Sequence, residues 1–101
     1  MARLIYKHPS GEIKEFRIGP QPITVGRGTQ VDVQLPDERV SRMHFGVRLQ
    51  DNQFVIKDLH STNGTYVNGD RIADARTLAD HDQVTVGASV LEFLLDATDK
   101  G

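Results

Sequence analysis

Residues 61–69 read Ser61-Thr62-Asn63-Gly64-Thr65-Tyr66-Val67-Asn68-Gly69 and contain two Asn-Gly pairs. Asn-Gly is a strong turn-forming pair, because a tight type I′ turn needs positive φ at both central residues and Asn and Gly tolerate it. The second pair is predicted to close Tyr66-Val67 onto Arg71-Ile72 as a β-hairpin. The first pair stands among hydroxyl side chains, a composition typical of a loop that presents polar groups. The segment therefore predicts β structure behind a polar loop.

On both sides of this segment, short runs of β-branched, aromatic and aliphatic residues recur about every ten residues, with turn formers between them. The predicted strands cover residues 3–7, 12–18, 23–26, 33–35, 44–50, 54–56, 83–86 and 89–95, with hairpin turns at 8–11 and 51–52. One short helical turn is predicted around Ile72, Ala75 and Ala79, which share a face at helical spacing. Many short strands without a long helix are typical of an all-β sandwich or barrel.

The length of 101 residues predicts a single domain over 1–101, ending in a polar tail at 96–101. The longest apolar-rich run, Val90 to Leu95, is interrupted by Glu92, and no stretch has the pattern of a signal peptide or a membrane span. The chain has no cysteine, which excludes disulfides, thiolate metal sites and a Cys nucleophile. We expect a cytoplasmic protein that does not bind membranes.

The charge balance argues against a duplex nucleic-acid binder but leaves a local anion site open. A net charge of −2 lacks the basic surplus of most duplex binders. Residues 1–50 nevertheless hold eight Lys/Arg against five Asp/Glu, whereas residues 51–101 hold four against nine. Cationic side chains can therefore concentrate locally in spite of the acidic total.

Three predicted loops carry side chains suited to an anion. They are Gly26-Arg27-Gly28, Arg39-Val40-Ser41-Arg42-Met43-His44 and Ser61-Thr62-Asn63-Gly64-Thr65. Each loop taken alone has an ordinary explanation, because exposed arginines are commonly only solvated and Ser, Thr and Asn bond to nearby backbone in loops. Their combination carries the functional interpretation.

In this order and at these spacings, the loops and their flanking strands resemble the forkhead-associated (FHA) domain, a phosphothreonine-binding β-sandwich. The resemblance extends from about Ile23 to Leu95 through Gly26-Arg27, Asp32-Val33-Gln34-Leu35, Val40-Ser41-Arg42-Met43-His44, Ser61-Thr62-Asn63-Gly64-Thr65, Tyr66-Val67-Asn68-Gly69 and Val84-Thr85-Val86-Gly87. It implies an eleven-stranded sandwich of two sheets, with both termini at one end and the binding loops at the other.

The resemblance also implies a phosphopeptide site. It assigns the phosphate to Arg27 and Ser41, with Arg42 beside it. It places Thr62 at the phosphothreonine and Asn63 at the peptide backbone just after it. A phosphothreonine carries about −1.5 to −2 charges, which guanidinium, hydroxyl and amide donors on fixed loops answer well.

Further residues are implied around this site. Arg39 is placed to reach a peptide residue about three positions after the phosphothreonine, where an arginine mildly favours Asp or Glu. His44 is expected to brace the loops, and the remaining supporting positions supply backbone geometry and turns. These supporting positions are Gly26, Gly64 and Asn68.

The chain departs from the family pattern at three positions. Phe45 stands in place of a small residue and is expected to change only core packing. His60 and His81 stand where glycine is frequent. His81 is expected to take positive φ, and His60, next to Ser61, is expected to alter the neighbouring peptide contacts.

The implied partner is a phosphothreonine-containing protein or peptide, the product of a Ser/Thr kinase, bound by a monomeric domain without cofactor, metal or nucleic acid. Three alternatives stay open. A hydrolase would use Ser41, His44 and Asp58, although no nucleophile elbow surrounds the serine. A metal site would use the scattered histidines, which lack ligand spacing. A phosphate-independent interaction scaffold would use the same sandwich as a docking surface.

Overall fold

The computed structural model describes residues 1–96, and these form eleven β-strands without a helix. The strands are β1 (Ala2–Lys7), β2 (Ile13–Ile18), β3 (Ile23–Gly26), β4 (Val33–Gln34), β5 (Phe45–Gln50), β6 (Gln53–Asp58), β7 (Thr65–Val67), β8 (Asp70–Arg71), β9 (Ala75–Thr77), β10 (Gln83–Val86) and β11 (Ser89–Leu95). None of the described residues belongs to a helix long and apolar enough to cross a membrane. Most of the predicted polar tail lies outside the described residues.

The strands form two sheets, as the resemblance implied. One sheet has six strands in the order β2-β1-β11-β10-β7-β8, and the other has five in the order β4-β3-β5-β6-β9. Pairing is antiparallel except between β3 and β4, where Val25 and Val33 are parallel partners. The all-β sandwich is confirmed.

The core lies between the two sheets and is built by the alternation of apolar residues along each strand. The rings of Phe54 on β6 and Phe93 on β11 pack edge to face across the layers, with centroids 5.6 Å apart. Phe45, which departs from the family pattern, is fully buried and belongs to the same core. Its side chain therefore serves packing, as expected.

Strand register sends the candidate binding loops to one end of the sandwich. The N-terminal end of β7 pairs at Thr65 with Val86, near the turn before β11. Met1 and Asp96, the first and last described residues, meet at the opposite end of β11, where the amide of Asp96 donates to the carbonyl oxygen of Met1 at 2.9 Å. The expected position of the C-terminus itself lies outside the described residues.

The two Asn-Gly pairs behave differently. At the second pair, φ is 52° for Asn68 and 87° for Gly69, so the predicted hairpin turn forms. At the first pair only Gly64 has positive φ, at 87°, so this pair turns the chain without forming a type I′ turn. Asn63 has another role, because its side chain bonds to a neighbouring loop.

The predicted helical turn around Ile72, Ala75 and Ala79 is also wrong. Residues 75–77 form β9, which pairs with Val55–Lys57 of β6. Ala75 and Ala79 are exposed, whereas Ile72 and Leu78 are buried. Pairing with the free edge of β6 satisfies the backbone and buries the larger side chains, which outweighs a weak local helical pattern.

Two of the departures from the family pattern share one backbone feature. His60 has φ 57° and His81 has φ 72°, as expected for His81. Histidine tolerates this left-handed region better than most residues, at some conformational cost. Both positions therefore keep the backbone shape that a glycine would adopt.

Candidate functional site

The loop after β3 and the loop before β5 approach each other so closely that only glycine fits between them. A Cβ added to Gly26 would overlap the carbonyl oxygen of Arg42. Backbone bonds join the loops there, from the amide of Arg27 to the oxygen of Ser41 at 2.9 Å and from that of Gly28 to Arg42 at 3.1 Å. Gly26 thus allows the two predicted phosphate-binding loops to be fixed against each other.

The guanidinium of Arg27 is fixed by one hydrogen bond, and its terminal amino groups remain available to a ligand. Its Nε donates to the carbonyl oxygen of Val40 at 3.0 Å, while the residue as a whole is exposed. One bond fixes the direction of the planar guanidinium, which leaves the terminal amino groups to donate elsewhere. This arrangement suits a phosphate, since bidentate guanidinium contacts are among the stronger hydrogen bonds.

Ser41 connects the second loop to the third. Its hydroxyl oxygen accepts a hydrogen bond from the amide of Thr62 at 3.1 Å. A hydroxyl that accepts one bond keeps its own proton to donate. Ser41 can therefore donate to an anion while it holds Thr62 in place.

Asn63 adds a second connection between these loops. Its Nδ2 donates to the carbonyl oxygen of Arg39 at 2.8 Å. The amide orientation follows from this contact, because a carbonyl oxygen can only accept. The side-chain oxygen and the second amide proton of Asn63 remain free to pair with the backbone of an extended peptide.

His44 lies beneath the loops and is fully buried. Its Nδ1 accepts from the amide of Ser41 at 3.0 Å, so the proton sits on Nε2, which donates to the carbonyl oxygen of Gly64 at 2.8 Å. One imidazole thus joins the second and third binding loops. The expected bracing role agrees with this geometry.

A carboxylate organises the third loop from inside. Asp58 accepts from the hydroxyl of Ser61 at 2.5 Å and from that of Thr65 at 2.7 Å. Burial alone would raise the pKa of Asp58, but the hydrogen bonds from Ser61 and Thr65 outweigh it and lower the pKa below its ordinary value. The carboxylate is therefore held in its charged form under the loop.

Asp37 fixes the second loop in a similar way. One oxygen accepts from the amide of Arg39 at 2.9 Å, and the other accepts from the amide of Ala88 and the hydroxyl of Ser89. Burial raises the pKa of Asp37, and these hydrogen bonds more than reverse the effect, so the pKa is lowered. The bonds tie the loop that carries Arg39 and Ser41 to the β10–β11 turn.

Space for a ligand exists on both sides of these loops. A cleft of about 500 Å³ lies against Arg42 and Met43, and Met43 is 50% exposed. A second cleft of about 420 Å³ lies against Arg39, between the 36–39 loop and His8. An extended peptide crossing the loops would meet a recess at either side.

The loops that carry the six predicted binding residues are joined by hydrogen bonds at one end of the sandwich. Asn68 is placed elsewhere. It lies at the far end of β7, where its side chain donates to Asp82 at 2.8 Å and accepts from the amide of Gln83 at 2.9 Å. It therefore secures the β7–β8 hairpin to β10 and supports the site only through that pairing.

Some contributing residues were missed in the sequence. Asp58 and Ser61 have the spacing of a carboxylate that accepts from an amide three residues on, which is a recognisable local pattern. Asp37 has a local bond of the same kind to Arg39, but its contact with Ala88 spans 51 residues and has no sequence pattern.

The alternative sites are not assembled within residues 1–96. The ring of His44 bonds to the amide of Ser41 rather than to its hydroxyl, and Asp58 bonds to Ser61 and Thr65. A hydrolase triad would need both the hydroxyl and the carboxylate on the imidazole. In the same described range, no group of three or more His, Asp or Glu side chains is placed to hold a metal ion.

Known proteins share both the sequence and the fold of this chain. The sequence model of the FHA domain family matches residues 23–87. The glycogen accumulation regulator GarA of Mycobacterium tuberculosis is 37% identical over 93 residues, which cover 92% of this chain and 57% of GarA. The chain thus spans little more than half the length of this relative.

Two solved domains are similar in three dimensions. The FHA domain of FhaA from Mycobacterium tuberculosis, solved in complex with the intracellular domain of Rv3910, has a TM-score of 0.83 at 31% identity, covering 92% of this chain and 99% of that one. A domain solved in a structural and functional analysis of phosphothreonine-dependent FHA domain interactions has a TM-score of 0.81 at 33% identity, covering 94% of this chain and 96% of that one.

Proposed function

Because the chain belongs to the FHA domain family, we propose that it recognises phosphothreonine in partner proteins and acts as a signalling adaptor or recruitment module. The phosphate is bound by Arg27, Ser41 and Arg42. Thr62 lies beside the phosphothreonine, and Asn63 holds the peptide backbone. Arg39 contacts the peptide after the phosphothreonine.

The observation that supports this proposal best is that Arg27, Ser41 and Asn63 are each fixed by an internal hydrogen bond that leaves further donor groups free for a ligand. Arg27 uses one bond to fix its guanidinium, and Ser41 uses its oxygen rather than its proton. Asn63 donates one amide proton to the carbonyl oxygen of Arg39. Donors that are fixed before the ligand arrives cost little to order on binding, which is the property that a specific phosphate site needs.

The parent protein's role follows from what such a module can do. A domain that binds phosphothreonine recruits its parent or a partner to the product of a Ser/Thr kinase. GarA is a glycogen accumulation regulator, and a non-catalytic regulatory role in the cytoplasm is proposed for the present chain as well. The domain acts as a monomer and needs no cofactor.

The proposal is tested by titrating the chain with a phosphothreonine peptide and with the same peptide unphosphorylated. We expect micromolar binding of the phosphorylated form alone, because a few charge-assisted bonds of about 1.5–3 kcal/mol each are partly offset by ordering the peptide. Arg42→Ala is expected to weaken binding about tenfold or more, and Arg27→Ala to abolish it.

Arg48→Ala is the matched control. Arg48 is an exposed arginine on β5, away from the loops, and neither its side chain nor that of Arg42 has a hydrogen bond or ion pair within residues 1–96. Its replacement should leave affinity unchanged. If Arg27→Ala bound the phosphopeptide as well as the unaltered chain, the site would be wrong and the phosphate-independent scaffold would be favoured.

A further inference from the structure

Arg71 on β8 lies against the third binding loop, although it stands outside the three loops that define the site. Atoms of its guanidinium lie 2.7 to 3.3 Å from the position that a Cβ of Gly64 would occupy. Gly64 has φ 87° and is buried, although the residues before it, Thr62 and Asn63, are exposed. The guanidinium therefore covers the face of the loop where Gly64 has no side chain.

The strand pairing explains how Arg71 reaches this position. Arg71 pairs with Tyr66 across the β7–β8 hairpin. Gly64 lies two residues before Tyr66, just outside β7, and is therefore the diagonal neighbour of Arg71 across the hairpin. Long side chains reach such diagonal neighbours in antiparallel pairs.

Arg71 has no anionic partner in the described part of the chain. Asp70, the neighbouring carboxylate on β8, is 3.8 Å from Arg76 instead, and Asp58 is engaged by Ser61 and Thr65. The loop 61–64 is bonded on its other side to Arg39 and Ser41. The guanidinium of Arg71 thus lies against the loop at Gly64, while the backbone of Arg39 bonds to the loop at Asn63.

From this placement we infer that Arg71 is a second reader of acidic side chains in the ligand. It contacts an Asp or Glu at a peptide position different from the position that Arg39 contacts. The inference rests on the proposed function, because Asn63 must first anchor the peptide across the loop. The recognised ligand is then a phosphothreonine peptide with acidic residues at two separate places.

The test is a glutamate scan. A phosphothreonine peptide with alanine at all flanking positions is compared with variants that carry one glutamate, moved through each flanking position in turn. At low ionic strength the unaltered chain should gain roughly two- to fivefold in affinity from glutamate at two positions, as expected for exposed ion pairs. Arg71→Ala should lose the gain at one of them, and Arg39→Ala the gain at the other.

Two further variants distinguish contact with an acidic peptide residue from packing of the Arg71 side chain over Gly64. Arg71→Met keeps an apolar stem over Gly64 and should lose the gain as Arg71→Ala does, whereas Arg71→Lys should keep part of it. Arg48→Ala should keep both gains. Affinity for the all-alanine peptide should change less than about twofold in every Arg71 variant.

An unchanged glutamate gain in Arg71→Met would overturn the inference and leave Arg71 as a cover for Gly64. Equal weakening of every peptide, the all-alanine one included, would also overturn it, since Arg71 would then act on the phosphate or on the loop. Neither result would contradict the proposed function. The proposed function is contradicted if the unaltered chain binds no phosphothreonine peptide, and the inference about Arg71 is then contradicted as well.

Discussion

His44 braces the second and third binding loops against each other. Its ring is buried, accepts from the amide of Ser41 and donates to the carbonyl oxygen of Gly64. His44→Ala leaves both groups unpaired and opens a cavity, so we expect a loss of about 2–5 kcal/mol in the free energy of unfolding. For a domain of this size this is a fall in Tm of about 8 °C or more, at roughly 4–8 °C per kcal/mol.

Thermal melts and peptide titrations on the same samples check this prediction. Below its melting range, His44→Ala should still bind, more weakly than the unaltered chain. Ser61→Ala, which removes a hydroxyl from the same region without opening a large cavity, provides a milder comparison. A His44→Ala protein that melts normally yet binds no phosphopeptide would show that the imidazole contacts the ligand rather than braces the loops.

At the scale of an element, the segment 58–65 is a loop organised by one carboxylate. Asp58 accepts from the Ser61 hydroxyl, the Thr65 hydroxyl and the Ser61 amide, and its pKa is lowered in the folded state from an ordinary value of 3.8. A carboxylate with a lowered folded-state pKa stabilises the fold fully above its unfolded pKa. That contribution is lost as the pH falls through the folded value.

We therefore expect Tm to fall as the pH is taken from neutral to below 3.8, with a smaller fall in Asp58→Asn. Asp58→Asn should also melt lower than the unaltered chain at neutral pH, because an amide nitrogen cannot accept from Ser61. The control is Asp51→Asn, since Asp51 is exposed and its carboxylate has no hydrogen bond within residues 1–96. Parallel pH profiles for Asp58→Asn and the unaltered chain would contradict the assignment.

At the scale of the whole molecule, the charges are separated along the sandwich. The net charge is −2, but the register places different charges at the two ends. The binding end carries the exposed arginines Arg27, Arg39, Arg42 and Arg71 beside the hydrogen-bonded carboxylates of Asp37 and Asp58. The far end carries Asp51, Asp80, Asp82 and Asp96, with Arg3 against Asp96. Such a separation attracts an anionic peptide to one end despite the acidic total.

This separation predicts that affinity for a phosphothreonine peptide depends on salt. Raising the ionic strength from 0.01 M to 1 M shortens the screening length from about 30 Å to about 3 Å, and we expect roughly tenfold weaker binding over that range. Peptide titrations at a series of salt concentrations measure this dependence of affinity on ionic strength. An affinity that stays constant would mean that the arginines contribute no long-range attraction.

The local pattern of the sequence was sufficient for most of the fold and for the position of the candidate loops. Turns at 51–52 and 68–69 follow from the tolerance of Asp and Asn for positive φ. The short runs of β-branched, aromatic and aliphatic residues predicted most of the strands, β1, β5 and β11 among them. The binding residues could be proposed because their types and spacings lie within single loops and resemble those of a family.

Only the tertiary structure decided the contacts between residues that are far apart in the chain. Residues 75–77 form a strand because the edge of β6 is free to pair with them. The neighbouring sequence does not show that this edge is available. Asp37 meets Ala88 across 51 residues, and Asn63 reaches Arg39 instead of forming a tight turn. The physical reason is that a local pattern encodes backbone preference, whereas these partners are brought together only when the sheets pair and the loops meet at one end.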